Sequence, residues 1–238
     1  MSMLPRLLVS QAAIVNLTQP SEIFEMLEKI PESVGHALIN QRAGMDNVVY
    51  NQLHRLRQTA RLEVRSQSFI FNARLPTRFT ADGDGVSPPL EWDQVPEGTS
   101  SLALLVEDAD SPTPHPLVHA IVPDLGNTDG SIEEGALDSP NHEGIGLATG
   151  QNSFFQHAWL PPDPPRGHGE HRYVFQIYAL RAGPAFVDAP GRRAFIDLIL
   201  DRAVAVGCLI GTYERTPREA AADEAEEKVG LVSNTSPA

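Results

Sequence analysis

The sequence predicts a mainly β protein, an antiparallel β-sandwich with a helix near its C-terminus and a helical extension at its N-terminus. Three observations carry this. Short runs rich in Val, Ile and Phe begin at Leu62 and are punctuated by Asp-Gly, Ser-Pro-Pro and Pro-Glu-Gly turns. Twenty prolines and eighteen glycines in 238 residues describe a folded, turn-rich chain. The strand signals are joined by Pro/Gly loops and not by helices, so no βαβ rhythm supports a parallel sheet.

The clearest strands are Leu62 to Val64, Ser101 to Val106, Val118 to Val122 and Tyr173 to Leu180. Ahead of them lie three helical signals: Ile23, Met26, Leu27 and Ile30 behind the N-cap candidate Ser21; a second after Pro31 through Val34, Ala37, Leu38 and Gln41; and a third over Val48 to Leu56. A late helix is marked by Pro190 near its start and by Phe195, Leu198, Ile199, Arg202, Ala203 and Val206 along it. Gly207 is its expected stop, and a short strand, Cys208 to Tyr213, follows. This gives an extension over 1–60, a binding domain over 61–215 and an acidic tail over 216–238 whose composition offers little to bury. No chemistry is visible in residues 1–60, so they are expected to be dispensable for any pocket and to matter for assembly, with a homodimer as one outcome.

A formal net charge of −13 argues against nucleic-acid binding, which relies on clustered Lys and Arg. No apolar run reaches the ~18 residues of a membrane span, and Leu7 to Val15 is too interrupted for a signal peptide. One cysteine, Cys208, excludes an intramolecular disulfide and reads as a small buried apolar residue. The expectation is a cytoplasmic protein without integral membrane association.

Three clusters could carry chemistry. Glu107 to Pro112 follows an apolar strand and, taken alone, reads as a solvated turn. His115 and His119 stand four apart, but Pro114 and Pro116 argue against a helix. On a strand they lie about 13 Å apart, from steps of ~3.3 Å, too far for one metal. The stretch from Pro161 through Pro164, Pro165, Arg166, Gly167 and His168 to His171, Arg172 and Tyr173 is a stiff proline arm entering a strand. Two imidazoles, a phenol and a carboxylate from these clusters can grip a small anion: the histidines and Tyr173 donate, and Asp108 fixes a tautomer.

In this order and spacing the clusters resemble the phosphatidylethanolamine-binding protein family, also called Raf kinase inhibitor proteins, in its bacterial and archaeal branch. The resemblance covers Leu62 to Arg215. It rests on Asp82-Gly83 through Ser87-Pro88-Pro89-Leu90-Glu91-Trp92, the Asp-Ala-Asp-Ser-Pro run at 108–112, His119, Gly150-Gln151-Asn152, and Pro162 through His171-Arg172-Tyr173 to Leu180. It implies a large central antiparallel sheet flanked by a smaller one. It also implies ligand-binding roles for Asp108, Asp110, Pro112, His119, Pro164, Pro165, His171 and Tyr173. Ala120, Ser111, Trp159 and Pro161 depart from the family's common tryptophan, alanine, tyrosine and glycine.

The function so implied is binding and not catalysis. The expected ligand is a small anionic or phosphorylated molecule, such as a phospholipid head group, and the expected protein partners are a protein kinase or another phosphorylated protein. No cofactor or metal is called for. A hydrolase using His119 and His171 is the alternative, weakened by the lack of a Ser or Cys in an activating motif. A third reading places the working surface on the N-terminal helices.

Overall fold

A computed structural model of the chain describes residues 32–138, 147–186 and 189–215. The first helical signal, Ser21 to Ile30, and the acidic tail lie outside the described residues.

In chain order the elements are α1 (Glu32–Leu38), a 3-10 turn (Met45–Asn47), α2 (Val49–Leu56), β1 (Ala60–Arg61), β2 (Glu63–Arg65), β3 (Ala73–Arg74), a second 3-10 turn (Thr77–Phe79), β4 (Leu90–Asp93), β5 (Ser101–Asp108), β6 (Leu117–Val122), β7 (Gly130–Ile132), β8 (His171–Leu180), α3 (Arg192–Arg202) and β9 (Ala203–Tyr213). The large sheet has six strands in the order β1-β9-β8-β5-β6, with β3 also on β9, and the small sheet is β2-β4-β7. The long pairings are antiparallel; the two-residue strands β1 and β3 run parallel to β9.

The strand β5 shows why this stack forms. Leu102, Leu104 and Val106 alternate with Ala103 and Leu105, and both sets are fully buried. The first set packs with Val64, Leu90, Trp92 and Ile132 of the small sheet. The second packs with Val49 and Leu53 of α2 and Phe195, Ile196 and Ile199 of α3 on the opposite face. A strand covered on both sides must read as a continuous apolar run, as Leu102 to Val106 does.

Two expectations are corrected. The late helix does not run to Gly207. It stops at Arg202, whose buried guanidinium donates to Arg181 O at 2.9 Å through Nε, and the chain enters β9 at once. There Ala203 to Tyr213 pair along β8 and bury both faces, so cross-strand packing overrides the helical periodicity of Ala203 and Val206. Gly207 is instead a close-approach glycine: a Cβ there would lie 2.5 Å from Leu62 O. The expected strand Leu62 to Val64 is likewise two strands, because Leu62 is where the chain passes from the large sheet to the small one.

Candidate functional site

The site lies at the end of β5, β6 and β8. Asp108 is the last residue of β5 and stands opposite Tyr173 on β8 and Leu117 on β6. Between β5 and β6 the register shifts: Val106 faces Ala120 while Glu107 faces Val118, which leaves His119 as the extra residue of a β-bulge. The bulge flips the alternation, so that Val118 joins the helix-side core and Ala120 the inter-sheet core, and re-aims His119. Its backbone carbonyl accepts Leu160 N–H at 2.9 Å and its Nδ1 donates to Leu160 O at 2.6 Å.

A cavity of about 260 Å³ opens here. Asp108, His119 and His171 supply its polar floor, Pro112 and Thr113 one side, Phe154, Leu160 and Pro161 another, and Pro164 and Pro165 the rim. Of the expected ligand-binding residues, Asp108, Pro112, His119, Pro164, Pro165 and His171 line it. Tyr173 and Asp110 are not among the lining residues. Tyr173 is fully buried, its ring edge-on to His119 at 5.1 Å, and burial raises its phenol well above 10. Asp110 is turned away from the cavity: Oδ2 accepts from Arg172 N–H at 2.9 Å and Nε at 2.7 Å, and Oδ1 from Arg172 at 2.7 Å and Arg42 at 3.0 Å.

The histidines do not offer the two donors expected of them. His119 spends its Nδ1 proton on Leu160, and burial lowers its pKa below the usual 6.5, so the neutral ring presents a bare Nε2. That nitrogen is buried with no protein partner, as are Tyr173 OH and Trp159 Nε1 nearby. Both nitrogens of His171 are engaged, Nδ1 by Asp108 Oδ2 at 2.7 Å and Nε2 by His168 Nδ1 at 2.6 Å. His168 Nε2 in turn donates to Leu38 O at 2.8 Å. His168 is named from the sequence within the proline-arm stretch but is given no role there; its signal is the i, i+3 spacing to His171, which means little without knowing that the turn folds back. Burial, with His171 beside it, lowers the pKa of His168.

Both ends of this Asp108–His171–His168–carbonyl chain are acceptors. Along it the two imidazoles bridge a carboxylate and a carbonyl, so Asp108 is tied through both rings to the backbone of Leu38.

The expectation that residues 1–60 contribute nothing to the pocket is corrected. Val34 and Leu38 line the cavity. An apolar wall needs no chemical motif, so its residues looked like those of any amphipathic helix.

The family model for phosphatidylethanolamine-binding protein matches residues 65–214. The chain belongs to the phosphatidylethanolamine-binding protein family. Among its relatives in this family, a UPF0098 protein of Aquifex aeolicus is 34% identical over 155 residues, 65% of this chain and 89% of that protein. A UPF0098 protein of Methanothermobacter thermautotrophicus is 31% identical over 157 residues, 65% of this chain and 99% of that protein. Among solved structures, a phosphatidylethanolamine-binding protein homologue of Chlamydia trachomatis superposes with a TM-score of 0.58 at 29% identity, covering 66% of this chain and 99% of that one. Escherichia coli YbcL, described as a member of the mammalian family, gives 0.57 at 27% identity with the same coverage. Among the described residues no helix is long and apolar enough to cross a membrane, and no group of three His, Cys, Asp or Glu side chains is placed to hold a metal.

Proposed function

We propose that the chain is a binding protein whose cavity takes the phosphate-like group of a small ligand, together with a proton. The observation that carries this is His119 Nε2, buried at the floor without a partner. An orphaned buried acceptor is costly, about 1–3 kcal/mol, and it calls for a ligand that donates or a proton that converts it into a donor. A monoprotonated phosphate supplies either. An anion beside His119 offsets the burial that keeps the ring neutral.

A phosphorylated side chain of a protein, a kinase included, would be engaged by the same chemistry. Catalysis is less well supported. His171 has no nitrogen free to act as a base, and the wall hydroxyls of Ser111 and Thr113 are bonded to each other at 2.7 Å and not to an imidazole.

Calorimetric titration of inorganic phosphate and phosphoethanolamine in buffers of different ionisation enthalpy tests the reading. Binding should take up a proton and strengthen as pH falls from about 7.5 to 5.5. His119→Gln should weaken it by about tenfold to hundredfold and abolish the proton uptake. Equal affinity in wild type and variant, or no binding by either, removes the pocket from the account.

A further inference from the structure

The family match begins at residue 65, and a relative of which 99% is spanned uses only 65% of this chain. Yet one side of the cavity is made by residues ahead of that match. Val34 and Leu38, one helical turn apart on α1, share a face, and both line the cavity.

The helix is held there firmly. Its Gly35 presses on the 166–168 turn so closely that a Cβ would lie 1.9 Å from Arg166 O. Leu38 O at its C-terminus and Gln41 O just beyond accept from His168 Nε2 at 2.8 and 3.1 Å. Beyond it, Arg42 donates to Asp110 at 3.0 Å, to Glu170 O at 2.8 Å and to His168 O at 3.0 Å. Ala43 N and Gly44 N then bond Ser111 O and Ala109 O. The wall is thus tied to both sides of the floor, to the strand end carrying Asp110 and to the turn carrying His168.

We infer that residues 32–42 are a specificity element of this chain: Val34 and Leu38 select a ligand with an apolar body next to its polar head, and Gly35, Arg42 and His168 position them. This deepens the ligand-binding reading above and rests on it for the polar head alone. The apolar body lies between Val34 and Leu38 on one side and Leu160 and Pro161 on the other. A bare anion touches only the floor and is indifferent to the wall.

Two probes separate wall from floor: hexan-1-ol, which is uncharged, and inorganic phosphate, each titrated by amide NMR against the full chain and its Leu38→Ala and Leu38→Trp variants. Leu38 is only partly buried, so neither substitution empties or overfills the core. Hexanol should shift the Leu38 and Leu160 signals of wild type, bind about five- to tenfold more weakly to Leu38→Ala, and lose its site in Leu38→Trp. Phosphate affinity should change far less than hexanol affinity across the three. If phosphate binds none of them while the hexanol series holds, the anion reading fails and the wall stands. Equal hexanol affinity across the series, or no hexanol binding at this site, overturns the inference. Gly35→Ala supplies the independent check. Alanine favours a helix, so a free helix would be steadied, whereas a docked one must lift from Arg166. Faster amide exchange over Val34 to Leu38 with weaker hexanol binding is expected; unchanged exchange and affinity overturn the docking.

Discussion

His168 and His171 meet nitrogen to nitrogen, Nδ1 to Nε2, at 2.6 Å. Two neutral rings can make such a contact only if one donates and the other accepts, and here each ring's remaining nitrogen already faces an acceptor. The contact therefore requires one proton between the two facing nitrogens. In imidazole ¹⁵N spectra the pair should show a coupling across this bond, and His119 should carry its proton on Nδ1 alone, against Leu160 O. Two lone pairs facing each other at the contact, or a His119 proton on Nε2, would sink the assignment.

The neutral, buried His119 also sets a pH dependence of stability. Its folded-state pKa is lowered from 6.5, first by burial. Between the folded and unfolded values the unfolded chain binds the extra proton, so stability falls as pH falls through about 6.5. His168 has the same sign but is common to both members of a comparison between wild type and His119→Gln. The stability of wild type relative to that variant should decline from pH 7.5 to 5.5 in urea unfolding. A constant difference would mean His119 is not held neutral.

Much of the frame was legible because it depends on local patterns. Ser101 to Val106, Val118 to Val122 and Tyr173 to Leu180 all announce strands by composition, and Val48 to Leu56 announces a helix by period. What was hidden depends on contacts between distant residues. Ala203 and Val206 continue the helical period of α3, and only pairing with β8 makes them strand. His119 was visible as a site residue, but the bulge that aims it is a mismatch of register between β5 and β6 that neither strand shows alone. Asp110 was named through motif position and Tyr173 as a donor to an anion, and the fold uses the first to hold Arg42 and Arg172 and buries the second beneath the floor.

Gly207 gives the sharpest test of the corrected C-terminal region. As a helix stop it would tolerate alanine with a modest loss, whereas within β9 an added Cβ meets Leu62 O at 2.5 Å and its carbonyl carbon at 2.9 Å, backbone atoms that cannot swing aside. Gly207→Ala should destabilise the fold by about 1–3 kcal/mol as an overpacking change, read from the denaturation midpoint. A variant as stable as wild type would mean that Leu62 does not cross the strand there.

Asp110 separates a ligand-binding role from a scaffolding one. Its carboxylate is buried, which pushes its pKa up, but hydrogen bonds from Arg172 and Arg42 outweigh that and hold it below the usual 3.8. Removing the charge by Asp110→Asn leaves two guanidiniums without their shared acceptor. Both arginines keep partial access to water, so the expected loss is about 2–3 kcal/mol, below that for a fully buried pair. The sign with pH follows from the lowered pKa. The stabilisation is present above about 3.8 and lost as pH falls below it, because there the unfolded chain is the stronger proton binder. The stability curves of wild type and Asp110→Asn should accordingly converge in acid. Because Asp110 does not line the cavity, phosphate affinity should change less in this variant than in His119→Gln. A variant with full stability but abolished phosphate binding would return Asp110 to the ligand-contacting set.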